Sequence, residues 1–181
     1  PAAAYTQSLI ADLDQEKAIL RGREVGSIFF GGGTPSLFAP QRIEDLLRAV
    51  EQRFALAADL EVTLEANPGT VEHGSFAGYR QAGVNRLSLG TQSFRDTQLA
   101  ALGRVHNAAD NFAAFDEAIS AGFSNINLDL MYGLPGQSVD ASVDDLRQAL
   151  ALQPTHVSHY HLTLEPKTAF HRCPPALPND E

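Results

Sequence analysis

Five apolar, β-rich segments recur along this chain with helix-patterned stretches between them, and that alternation narrows the fold more than any other feature of the sequence. The segments are Val25 to Phe30, Leu60 to Leu64, Arg86 to Leu89, Ile126 to Met131 and His156 to Leu162. Between them, Ile43, Leu46, Leu47, Val50 and Phe54 recur at the spacing of one helix face, as do Phe112, Phe115 and Ile119, and then Val139, Val143, Leu146 and Leu150. Turn chemistry divides the chain in the same way. Pro40 suits a first helical turn, Ser138 suits an N-cap, and Gly83 and Gly122 stand where helices should stop. Units of this kind join through right-handed crossovers into a parallel sheet.

The strand ends choose between the two common parallel architectures. A doubly wound sheet concentrates its ligand at one switch point, whereas a barrel assembles its site from several strand C-termini on one face. Here all five segments finish in polar or glycine-rich sequence: Gly31-Gly32-Gly33-Thr34, Glu65-Ala66-Asn67-Pro68, Gly90-Thr91-Gln92-Ser93-Phe94, Asp129 with Tyr132-Gly133-Leu134-Pro135-Gly136, and His161-Leu162-Thr163-Leu164-Glu165-Pro166. Five decorated ends favour a barrel. Three consecutive glycines after an apolar strand leave bare backbone groups open to close approach, although a tight turn at a strand end is the simpler reading of that run alone. Nucleotide-phosphate loops of the usual kinds do not fit. In a G-x-G-x-x-G reading the third glycine is replaced by Ser36, and no Gly-Lys-Ser or Gly-Lys-Thr follows any strand.

The 181 residues fit one domain, with 44% hydrophobic and 19% charged residues in the globular range. A formal net charge of −9 argues against a nucleic-acid surface, which needs clustered Lys and Arg. A single cysteine, Cys173, excludes an internal disulfide framework and fits a reducing compartment. No apolar run approaches the roughly 18 residues of a membrane span, and Pro1-Ala2-Ala3-Ala4 lacks the basic flank of a signal peptide, so the expected location is the cytoplasm, with no membrane association evident. Residues 1–165 read as the barrel and 166–181, Pro-rich and without periodicity, as a linker or the start of a further region.

Taken in order, the strand endings, together with Leu102-Gly103-Arg104, His106 and the run Leu128 to Gln137, resemble the radical SAM proteins of the oxygen-independent coproporphyrinogen oxidase type, and within them the HemW-like branch. The resemblance spans nearly the whole chain. It implies a partial, TIM-like α/β barrel of six β/α units, of which about five are expected here. It also implies two cofactors, S-adenosylmethionine and a [4Fe–4S] cluster, the cluster held by a Cys-x-x-x-Cys-x-x-Cys motif that this sequence lacks. Cys173 is alone and in the wrong place to stand in for it, so the cluster ligands are expected upstream of Pro1 and a further domain downstream of Glu181.

The resemblance also implies roles residue by residue. Gly32, Gly33 and Thr34 match the segment that meets the methionine end of S-adenosylmethionine. Glu65 matches a carboxylate that accepts hydrogen bonds from ribose hydroxyls, against the alternative of a solvated or helix-capping carboxylate. Gln92 and Arg104 match positions that reach the same ligand, although an isolated arginine is more often a solvated charge. Asp129 lies between Leu128 and Leu130 in an otherwise apolar strand, where a carboxylate needs a partner; ligand binding supplies one, and a buried salt bridge to Arg86 or Arg104 is the alternative. His159 and His161 share a strand face and could meet a metal or a tetrapyrrole, but without a third ligand they read as ordinary lining or exposed residues. His106, Tyr132 and Tyr160 read as structural. The branch implies a heme chaperone that binds heme and passes it to an acceptor protein. The alternatives are an oxygen-independent coproporphyrinogen III dehydrogenase, which decarboxylates propionates oxidatively through radical chemistry, and a related tetrapyrrole methyltransferase.

Overall fold

The computed structural model describes residues 2–17, 19, 22–69 and 75–178. Along the chain lie α1 (Ala2–Glu16), β1 (Glu24–Phe30), a 3-10 turn (Pro35–Leu37), α2 (Pro40–Glu51), β2 (Ala55–Ala66), α3 (Phe76–Gln81), β3 (Arg86–Gln92), α4 (Asp96–Ala101), α5 (Ala108–Ser120), β4 (Ile126–Tyr132), α6 (Val139–Ala151), β5 (His156–His161) and α7 (Ala169–Arg172). All four strand pairings are parallel, and the order across the sheet is β1-β2-β3-β4-β5. Each strand thus pairs with the next in sequence. A doubly wound sheet would reverse its order partway, so the architecture is a curled half-barrel.

The two faces of the sheet differ sharply. On the outer face Leu64, Leu87, Leu89, Leu128 and Leu130 are buried against Ile43, Phe76, Tyr79, Phe115 and Ala118 of the helices. Each such leucine contributes about 2 kcal/mol by leaving water. The inner face carries polar side chains that bond to one another instead. Arg86 Nη1 donates to Thr63 Oγ1 at 3.2 Å, Ser88 Oγ to Asp129 Oδ2 at 2.9 Å, Asn127 Nδ2 to Ser88 Oγ at 2.9 Å and to Asp129 Oδ1 at 2.9 Å, and Ser158 Oγ to Asn127 Oδ1 at 3.1 Å. Strand alternation produces this division, since successive residues face opposite sides.

The helix boundaries follow the sequence signals closely. Pro40 opens α2, Ser138 Oγ accepts the Ala141 N–H at the start of α6, and Gly83 and Gly122 leave their helices at φ +110° and +86°. Two six-residue helices, α3 and α4, are too short to show a helical period. The apolar stripes of the last two long helices are only partly buried: Phe115 of α5 and Leu146 of α6 pack into the core, and their stripe neighbours do not. In α5 the buried residues are Asn111, Ala114, Phe115 and Ala118, while Phe112 and Ile119 are exposed. In α6 Asp145 and Ala149 are buried, and Val139, Val143 and Leu150 are exposed. Each helix also buries one polar side chain, Asn111 in α5 and Asp145 in α6, that meets backbone groups at the end of β3. Among the described residues no helix is long and apolar enough to cross a membrane.

Candidate functional site

The C-terminal ends of the strands converge on a polar cavity of about 190 Å³, lined by Gly33, Pro35, Glu65, Ala66, Asn67, Ser88, Gly90, Gln92, Arg104, Asp129 and Tyr160. Each wall is built by a local feature of the chain. After β1 the backbone turns through Gly32 and Gly33 at φ +79° and +60°, a conformation that favours glycine. The Gly32 N–H donates to Glu65 Oε2 at 3.0 Å, so one oxygen of that carboxylate braces the glycine turn. Next to it opens a second, apolar cavity of about 570 Å³, which shares Gly33 and Pro35 with the first and is walled by α1, α2 and the outer side of β1. Ligand pockets usually measure about 300–1,000 Å³, so the polar cavity alone has room for only part of a nucleoside-sized molecule.

The end of β3 is more unusual. Leu89 pairs with Leu128 but Gln92 pairs with Leu130, so β3 advances three residues while β4 advances two, and the single extra residue is a bulge. Bulges re-aim side chains. Here the bulge and the left-handed Gln92 backbone, at φ +59°, turn the Gln92 amide into the cavity. Gly90 makes room for this: a Cβ there would lie 2.5 Å from Asn67 Oδ1 and 3.3 Å from Gln92 Nε2. Gln92 is 3% exposed, and its Oε1 has no hydrogen-bond partner among the described residues. A buried, unpaired amide oxygen costs free energy unless a ligand donates to it.

Arg104, just past α4, donates from Nη1 to Asn67 Oδ1 at 3.3 Å and makes no ion pair among the described residues. Asp129 is not salt-bridged to Arg86 or Arg104; Ser88 and Asn127 hold its two oxygens at 2.9 Å each. Tyr160 faces the cavity from β5. Burial pushes its phenol up from the ordinary value, partly opposed by a hydrogen bond from Gln92 and reinforced by the Asp129 charge. Two carboxylates, a guanidinium, two amides and a phenol around one opening can bind a zwitterionic ligand that also carries hydroxyls. The unpaired Gln92 oxygen and the glycine-lined wall fit S-adenosylmethionine. A [4Fe–4S] cluster with one open iron takes three thiolates, and this chain's only cysteine, Cys173, is exposed after α7, so the residues present do not ligate a cluster.

Of the residues singled out in the sequence, Gly33, Glu65, Gln92, Arg104 and Asp129 line the polar cavity. Gly32 joins it through Glu65, and Thr34 lines the apolar cavity beside it. His159 and His161 lie on the other side of β5 from Tyr160, exposed, one edge-on and one tilted to the Tyr132 ring at centroid distances of 4.8 and 5.1 Å. They do not reach the cavity. No group of three metal-ligating side chains occurs among the described residues. His106 is buried beneath the end of β3, where desolvation holds its imidazole below the ordinary value against a hydrogen bond to the Thr91 backbone, and the Arg104 charge adds to the depression. Sequence reasoning missed Asn67, Ser88, Gly90 and Tyr160 as lining residues. Strand alternation carried the signal for Tyr160, because a residue flanked by two outward histidines must face inward.

The Radical SAM superfamily profile matches residues 6–149. The chain is 50% identical over 177 residues to the heme chaperone HemW of Escherichia coli (strain K12), a match covering 98% of this chain and 47% of that protein. It is 49% identical over 175 residues to the heme chaperone HemW of Haemophilus influenzae, covering 97% of this chain and 46% of that protein. The chain therefore spans about half the length of these curated relatives. Among solved structures it superposes on coproporphyrinogen III oxidase (HemN) from Escherichia coli, described as a radical SAM enzyme, with a TM-score of 0.86 and 28% identity, covering 99% of this chain and 42% of that one.

Proposed function

Because the chain belongs to the radical SAM superfamily, we propose that it forms the S-adenosylmethionine-binding half-barrel of a HemW-like heme chaperone, a protein that binds heme and passes it to an acceptor. The observation that carries this reading is the 50% identity to the heme chaperone HemW over 98% of the chain. Bound at an iron–sulfur cluster, S-adenosylmethionine supplies one-electron chemistry at its sulfonium centre.

This chain's residues bind and orient that ligand. The Gly32, Gly33 and Thr34 backbone receives the methionine end. Glu65 keeps one oxygen on the Gly32 N–H and offers the other to ribose hydroxyls, so ligand binding and the shape of the glycine turn are coupled through one carboxylate. Arg104 meets the ligand carboxylate, and Gln92 accepts a donor at the oxygen that otherwise stays unpaired. Asp129, fixed by Ser88 and Asn127, stays in place whether or not a ligand is present. Tyr160 forms the far wall of the cavity from β5.

Heme binding is tested on the complete gene product by titration with hemin. We expect a Soret shift that saturates near one equivalent, and no stoichiometric shift would overturn the chaperone reading. The superposition on HemN at a TM-score of 0.86 favours a second reading, an oxygen-independent coproporphyrinogen III oxidase. Anaerobic incubation with S-adenosylmethionine and coproporphyrinogen separates the two, because decarboxylated product supports the oxidase and its absence the chaperone.

A further inference from the structure

The end of β3 is held by side chains that no ligand role accounts for. Asp145 in α6 is 1% exposed and meets no cation among the described residues; the arginines nearby, Arg95 and Arg147, go to Asp144 at 3.0 and 3.1 Å. Its Oδ2 accepts from Ser93 Oγ at 2.7 Å and its Oδ1 from the Phe94 N–H at 2.8 Å, with Gln137 Nε2 at 3.5 Å. A buried carboxylate without a counter-ion is costly, and a hydrophobic residue would pack that helix against the sheet more cheaply. Asn111 in α5, 2% exposed, donates from Nδ2 to the Ser93 carbonyl at 2.9 Å and to the Thr91 carbonyl at 3.4 Å, and the Thr91 backbone also bonds to His106.

These contacts bracket one residue. Thr91, Ser93 and Phe94 are tied to α5 and α6 on both sides of Gln92, which adopts φ +59° and whose own contacts run to Tyr160 and to Leu130 across the ladder, not to the helices. A non-glycine residue in that region costs on the order of 1–3 kcal/mol and persists only where its surroundings over-determine it. We propose that Asp145, with Asn111, is a positioning residue of the cavity: it anchors Ser93 and Phe94 to α6 and so holds the Gln92 amide aimed at the ligand. The proposal rests on the reading of the cavity as an S-adenosylmethionine site. It also gives a role to the one polar side chain that α5 and α6 each bury.

The test uses the complete gene product, with amide resonances as the readout and S-adenosylmethionine as the probe. In Asp145→Asn the Phe94 N–H loses its charged acceptor: either the amide oxygen still accepts from it and the NH2 turns onto Ser93 Oγ, reversing that bond, or the NH2 faces the Phe94 N–H donor to donor. Hydrogen exchange at Ser93 to Arg95 is expected to accelerate at least about tenfold while β2 and β4 amides keep their protection. S-adenosylmethionine affinity, read from shift titration, is expected to fall about tenfold, as for other groups that orient a ligand-binding side chain. A double-mutant cycle then decides the route. If Asp145 acts through Gln92, adding Asp145→Asn to Gln92→Ala weakens binding no further. Additive losses, or unchanged exchange at Ser93 to Arg95, overturn the proposal. Gln92→Ala binding as well as the parent would sink the cavity reading instead, and the exchange measurement still decides whether Asp145 holds the turn. Should Asp145→Asn fail to fold, Ser93→Ala removes the hydroxyl that donates to Oδ2 and accepts from the Arg95 N–H, and exchange at Phe94 then carries the same comparison.

Discussion

Two strand ends meet at the same cavity and are built in opposite ways. The turn after β1 is exposed at Gly31, Gly32 and Gly33, uses glycines for its left-handed turns, and is braced across the sheet by the single bond from Gly32 to Glu65. The turn at the end of β3 is buried from Gly90 to Phe94, places a glutamine where glycine would be easier, and is bound by Asn111, His106 and Asp145 from other elements. On the proposed reading of the cavity, the first wall is free to adapt to a ligand and the second is set in advance. Pre-organisation lowers the ordering cost of binding, and the strain it needs is held by polar contacts that the adaptable wall does without.

The largest break in this contrast comes from Asp145→Ala. It leaves the buried Phe94 N–H and Ser93 hydroxyl without their acceptor, and we expect a loss of about 3 kcal/mol in denaturant unfolding. Glycine substitutions compare the two walls directly. At Gly90 an added Cβ meets Asn67 Oδ1 at 2.5 Å and forces Asn67 off Arg104, so Gly90→Ala should cost about 2 kcal/mol and disturb the Arg104 resonances. At Gly32 nothing lies within 4 Å of the added Cβ, and only the left-handed backbone opposes the change. Gly32→Ala should cost about 1 kcal/mol and leave the rest of the spectrum in place. A smaller effect is specific to the β3 side. His106 is held neutral, its folded value below the ordinary one, so the unfolded chain takes up the proton first. Stability from this residue is present above about pH 6.5 and is lost as pH falls below it toward the folded value. Unfolding measured between about pH 7.5 and 5 should show that loss, and His106→Asn should flatten it.

These contrasts also explain what was legible in the chain. Glu65, Gln92 and Asp129 stand at strand ends and Arg104 just past α4, and it is the family resemblance of those ordered runs that singles them out; residue type and position alone point only to one face of a barrel. Fold class followed from five β segments and the glycines that end the helices between them. Asp145 was not legible. It stands in α6 with Asp140 and Asp144, and three acidic residues on a helix read as solvated; only the packing of α6 against β3 distinguishes the buried one. The same packing leaves Val139, Val143 and Leu150 of the periodic stripe exposed and only Leu146 of it against the core. A sequence period reports that a face is apolar, and it cannot weigh that face against a polar side chain needed elsewhere. The β3 bulge was hidden for a related reason, since register is a property of two strands and not of one.

The strictly sequential order of the sheet has a mechanical consequence. Gly32 and Tyr160 stand at opposite ends of an arc with four strand pairings between them. Neighbouring strands are rotated by roughly 20–25° on average, and a change of a few degrees at each pairing accumulates across the arc. The span between the first and last walls is therefore far softer than any one interstrand contact, and the aperture of the groove is governed by the curvature of the whole sheet.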